Sequence, residues 1–117
     1  MVSTLPTRIL LAIDGSEDAA LAARAAVDLS NRVGSELYVV YAWHSVPSAH
    51  FEAFLRTQFE QEGREVIEDQ VGRIEEAGGK VAGVYLREGR PVDEILDLAE
   101  ELKPDLLVTG SRGRGSI

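Results

Sequence analysis

The chain has 117 residues, 44% of them hydrophobic and 27% charged, with no cysteine and a net charge of -8 from 12 basic and 20 acidic side chains. That length and balance predict a single soluble globular domain over residues 1–117 and exclude a disordered chain. The lack of cysteine excludes disulfides, thiolate metal sites and cysteine nucleophiles, while the acidic excess argues against nucleic acid or a membrane surface as partner.

The opening stretch MVSTLPTR has neither a charged n-region nor an apolar h-region, and no window of 18 apolar residues exists, so a cytoplasmic protein is expected. RILLAI, Arg8 to Ile13, is a short apolar run between Pro6 and Asp14-Gly15-Ser16 and predicts a buried strand. Ala22, Ala25, Ala26, Leu29 and Val33 then recur at helical spacing, with Ser16 placed to cap, Glu17 and Asp18 in the first turn, and Gly34 at the stop. LYVVYAW, Leu37 to Trp43, predicts a second strand, followed by the loop HSVPSAH. Phe51, Phe54, Leu55, Phe59, Val66, Ile67, Val71 and Ile74 mark a long helix ending at Gly78-Gly79, with Gly63 weakening its continuity.

KVAGVYL, Lys80 to Leu86, predicts a third strand interrupted by Gly83. Pro91 can open a helix without losing a bond; Val92, Ile95, Leu96, Ala99 and Leu102 form its expected apolar face, and Pro104 stops it. DLLVTG, Asp105 to Gly110, is the fourth strand. Strands alternating with helices predict an α/β fold, an open parallel sheet covered by helices on both faces.

In such sheets ligands bind beyond the carboxyl ends of the strands, where strand order reverses. Four turns therefore matter: Asp14-Gly15-Ser16, Ala42-Trp43-His44, Arg87-Glu88-Gly89-Arg90 and Gly110-Ser111-Arg112-Gly113. The last can aim backbone N–H groups, serine hydroxyls and guanidinium groups at phosphate, or can be a mobile polar tail. Asp14 either ties its own turn or accepts from a ribose hydroxyl. His44 and His50 lack the spacing and carboxylates of a metal site, Ser16 has no triad partner, and Trp43 reads as core or rim packing. Neither a P-loop nor Gly-x-Gly-x-x-Gly after the first strand is present.

The combination of ILLAIDGS, LYVVYAW, REGRPVDEIL and DLLVTGSRGRG resembles the universal stress protein family over nearly the whole chain. The resemblance implies a three-layer, Rossmann-like sheet of the adenine nucleotide alpha hydrolase-like kind, in order 3-2-1-4-5, and a stress-response regulator that binds ATP or AMP, with Mg as an optional companion. It implies a homodimer and no catalysis, slow ATP hydrolysis being the least supported reading. On this sequence it implies that Asp14 meets the ribose or adenine side, that Ala12, Ile13 and Ala42 border the adenine, and that Thr109, Gly110, Arg112 and Gly113 approach the phosphates. The alternative is a non-nucleotide interaction or dimerisation module of the same fold.

The family's nucleotide-binding pattern is glycine, two residues, glycine, nine residues, glycine, then serine or threonine. Gly110 to Gly113 supplies the first half; the next glycine would fall beyond Ile117, and Gly115-Ser116 stands at the wrong distance. The expectation is a domain with four of five strands, lacking the fourth helix, with weakened nucleotide binding. The fourth strand becomes an edge, and apolar side chains such as Leu10 and Leu107 are expected to meet water.

Overall fold

The computed structural model describes residues 7–14, 17–43 and 52–110. They run β1 (Arg8–Ile13), α1 (Glu17–Val33), β2 (Glu36–Trp43), α2 (Glu52–Glu76), β3 (Val81–Glu88), α3 (Pro91–Leu102) and β4 (Leu106–Thr109). The strands form one parallel sheet in the order β3-β2-β1-β4, as expected. β1 lies inside it, in register with β2 from Arg8↔Glu36 to Ile13↔Tyr41 and with β4 from Ile9↔Leu106 to Ala12↔Thr109. Burial on both faces explains its uninterrupted apolar run: Ile9, Leu10 and Leu11 are all fully enclosed.

The two faces are covered unequally. Ile9, Leu11, Ile13, Leu37 and Val39 pack under α1 and α2, against Ala23, Ala26 and Val27 of the first helix and Ile67 and Ile74 of the second. On the opposite face Leu10, Ala12 and Val40 meet α3 through Leu98, with Ile95, Ala99 and Leu102 partly buried around it.

The helix faces agree with the sequence reading in part. In α1 Ala26 is buried and Ala22 and Leu29 pack partly buried against the core as expected, but Ala23, Val27 and Ser30 complete the inner face and Ala25 is exposed. A run of alanines carries almost no phase, and the helix turns so that the larger Val27 reaches the core. In α3 Leu98 is the single buried residue. Val92 and Leu96, expected on the inner face, are 68% and 52% exposed. Leu10 is also corrected: expected at the surface, it is fully buried, because Leu98 and its neighbours already cover that face. Leu107, 39% exposed, is at the surface as expected.

α2 continues straight through Gly63, which is a packing feature and not a break. A Cβ there would lie 3.1 Å from Leu86 Cδ1 and 3.1 Å from the Tyr41 ring, so the missing side chain lets the helix approach β2 and β3. β3 likewise runs through Gly83. Gly34, at φ 75°, closes α1 in the left-handed conformation, its N–H donating to the Ser30 carbonyl at 2.8 Å. At the end of α3 it is Lys103, at φ 52°, that takes this conformation, ahead of Pro104.

The amino ends of β1 and β4 are tied by Asp105. Its Oδ2 accepts from Thr7 N and Thr7 Oγ1, each at 2.6 Å, and from Arg8 N at 3.2 Å. Arg8 in turn donates to the Leu102 carbonyl at 2.8 Å and pairs with Glu36 at 3.3 Å. Donation from the Thr7 hydroxyl, then from the two backbone N–H groups, holds the Asp105 carboxyl below its ordinary value of 3.8. A depressed carboxyl stabilises fully above that ordinary value and loses its contribution as pH falls through the lower folded-state value. Asp105→Ala is therefore expected to lower the urea midpoint at neutral pH, with mutant and parent converging in acid. A difference that persists undiminished at low pH would show that the carboxylate charge is not what matters.

Candidate functional site

β2 is reached from β1 through α1 on one face, and β4 is reached through α3 on the other. The direction of the crossovers thus reverses at β1, and in sheets of this kind such a switch opens a crevice at the carboxyl ends of the strands beside it, here β1 and β4.

The residues singled out from sequence fall around this crevice. Ala12, 7% exposed, sits between Val40 of β2 and Thr109 of β4. Ile13 is buried opposite Tyr41, and Asp14 follows it at the surface. Thr109 is exposed and Gly110 half-buried at the end of β4. Ala42 lies one strand away, in register with Arg87. Ala12, Ile13, Asp14, Thr109 and Gly110 are thereby gathered at one edge, with Ala42 beside them. Arg112 and Gly113 lie outside the described residues, as do Gly15, Ser16, His44 and His50.

The arginines of the third turn belong to the fold. Arg87 Nη2 donates to both carboxylate oxygens of Glu101 at 3.3 Å, and Arg90 lies 3.7 Å from Asp93. Tyr41 stands at the end of β2 with Trp43, where the sequence put the two aromatics as core packing and ligand border. Half-buried against Gly63, it has its hydroxyl pKa pushed above the ordinary value by burial first, then by the carboxylates of Asp14 and Glu62. Asp14 therefore acts electrostatically across the β1–β2 junction as well as toward solvent. Trp43, at the end of β2, is half-buried, and its Nε1 is enclosed without a hydrogen-bond partner among the described residues.

Chemically, the edge offers a carboxylate acceptor at Asp14, a hydroxyl at Thr109, two alanines that leave room above the sheet, and a glycine where β4 ends. Such a set binds and orients a polar ligand. Among the described residues there is no group of three or more His, Asp or Glu side chains placed to hold a metal ion, and no helix long and apolar enough to cross a membrane.

A parallel sheet in 3-2-1-4 order, helices on both faces and a crevice at the strand switch define a Rossmann-like α/β domain. The model of the universal stress protein family matches residues 6–117. Universal stress protein YxiE of Bacillus subtilis is 32% identical over 119 residues, covering 91% of this chain and 79% of that protein. A universal stress protein family structure from Burkholderia pseudomallei superposes with a TM-score of 0.79 at 28% identity, covering 98% of this chain and 89% of that one. A family member from Arabidopsis thaliana, solved with AMP bound, gives a TM-score of 0.66 at 22% identity, with 96% and 81% covered. The chain belongs to the universal stress protein family.

Proposed function

We propose that this chain is a cytoplasmic stress-response regulator that binds an adenine nucleotide, ATP or AMP, at the carboxyl edge of β1 and β4. The observation that carries this reading is the register Ala12↔Thr109, which brings the Asp14 turn and the Gly110 turn to opposite sides of one crevice. The AMP held by the Arabidopsis relative supports the ligand class. Asp14 accepts from the nucleoside, Ala12, Ile13 and Ala42 leave space for the base, and Thr109, Gly110, Arg112 and Gly113 donate to the phosphates, with Mg accompanying ATP. Among the described residues no side chain at this edge is placed to activate an attacking water, and the proposed role is binding.

The test is calorimetric titration of ATP, AMP and adenosine into the parent and two variants. Asp14→Ala is expected to weaken adenosine and ATP alike, by roughly tenfold or more for one charge-assisted bond. Arg112→Ala is expected to weaken ATP by a similar factor, increasingly at low salt, and to leave adenosine unchanged. Failure of the parent to bind any of the three would sink the reading. Gly110 to Gly113 is only the first half of the family's phosphate pattern, so the affinity of these 117 residues is expected to fall short of that of chains carrying both halves.

A second reading, a homo-oligomeric interaction module, is favoured by a specific feature: Leu96 and Leu107 are exposed together beside β4, and Val92 is exposed a turn earlier on α3. The two readings are compatible, since that patch flanks α3 and β4 below the crevice.

A further inference from the structure

On the opposite side of the sheet, α1 and α2 diverge around a cleft of about 620 Å³ that the nucleotide reading does not use. Its walls are two turns of each helix, Ala20 to Val27 and Gln70 to Ala77, so it is roughly 10 Å long. The volume is that of a small-molecule site. Small side chains on α1 create the space: Ala20 and Ala23 line it together with Ile74 of α2 and Ala77 just beyond that helix, and Leu21 stands 62% exposed on the lip.

Two polar groups in this apolar cleft are unaccounted for by the fold. Gln70 is only 6% exposed and lines the cleft, yet its carboxamide has no hydrogen-bond partner among the described residues. The amide is not sealed from solvent, so its polar atoms open into the cleft, where they are available to water or a ligand. Arg24, on the α1 wall, has no carboxylate within ion-pair distance among the described residues, in a chain whose net charge is -8. The other arginine of the cleft, Arg73, is committed to Asp69 at 3.2 Å. Glu76 on the same rim disfavours a second anion at that end.

We propose that this cleft is a second binding site, for an amphiphilic carboxylate of the medium-chain fatty-acid type. The apolar body lies over Ala20, Ala23, Val27 and Ile74. The carboxylate accepts from the free Arg24 guanidinium and from the Gln70 NH₂ group. A docking helix would need a row of successive sockets for its anchors. One short cleft with a single amide opening into it fits a small ligand instead.

Decanoate, with decanol as the uncharged control, would be titrated into the ¹⁵N-labelled chain while amide shifts are followed. Saturable shifts confined to residues 20–27 and 70–77 are expected for decanoate, with decanol roughly tenfold weaker. Arg24→Gln, a change at an exposed position, should abolish that preference for the carboxylate without altering the urea midpoint. Gln70→Leu should weaken decanoate without lowering the urea midpoint. A lowered urea midpoint in Gln70→Leu would show that the amide serves the fold and not a ligand. No saturable decanoate shift, equal affinity for decanol and decanoate, or saturation only by an acidic amphipathic helical peptide would each overturn the assignment.

Discussion

Leu98→Ala is expected to lower the unfolding free energy by about 2–5 kcal/mol, a large fraction of the roughly 5–15 kcal/mol that holds a domain of this size. Leu98 is fully enclosed and is the only buried residue of α3. The cluster on that face consists of Leu10, Ala12 and Val40 from the sheet and this one helix side chain. Truncating it opens a cavity where the sheet has no second layer of large residues to collapse inward. It also loosens the hold of α3 on β1 and β2, because Ile95, Ala99 and Leu102 are only partly buried around it. Val92→Ala, at a 68% exposed position on the same helix, should cost less than about 0.5 kcal/mol. Leu98→Met, which nearly conserves volume, should cost less than about 1.5 kcal/mol. Urea unfolding of the three variants checks the ordering. A Leu98→Ala loss below that of Leu98→Met would show that α3 is held by something other than this contact.

The same residue marks the limit of what the sequence discloses. Strand positions were legible because punctuation frames them: Asp14 after β1 and Pro104 before β4 leave little freedom for the runs between. The alternation of elements predicted a parallel sheet, and the strand order came from the family resemblance. The face of α3 was not legible. Ile95, Ala99 and Leu102 belong equally to a stripe through Val92 and Leu96 and to one through Leu98, and only the position of Leu10 and Val40 opposite decides between them. The alanines of α1 hide its phase in the same way. At the site, the rule that ligands meet strand carboxyl ends pointed to Asp14 and Gly110, and the family resemblance added Ala12, Ile13 and Thr109, which the strand register puts beside them. That Arg87 turns to Glu101 and that Tyr41 feels Asp14 depend on side-chain directions that no spacing records. The cleft between α1 and α2 has no motif at all, because it arises from the separation of two helices.

The 117-residue chain is expected to self-associate through the face formed by α3 and β4. β4 is an edge of the sheet among the described residues, with one row of backbone N–H and C=O groups unpaired by any strand. Beside it Leu96 and Leu107 line a shallow cleft with Ala99, Pro104 and Leu106. Val92, Leu96 and Leu107 are 68%, 52% and 39% exposed. Fully burying such side chains contributes about 1.5–3 kcal/mol each, and even half of that from two copies amounts to several kcal/mol. The opposing term is charge. Asp93, Asp97, Glu100 and Glu101 give α3 an acidic outer surface, which repels a second copy at low ionic strength. Added salt should therefore strengthen association, contrary to an interface held by ion pairs. Sedimentation velocity at several protein concentrations should show a growing dimer population, and the urea midpoint should rise with protein concentration. Leu107→Lys should leave a monomer at every concentration, with a midpoint matching that of the dilute parent, because the residue it replaces makes no core contact that a lysine stem cannot reproduce. A parent chain that stays monomeric throughout, with a concentration-independent midpoint, would show that this edge and its leucines are tolerated in water.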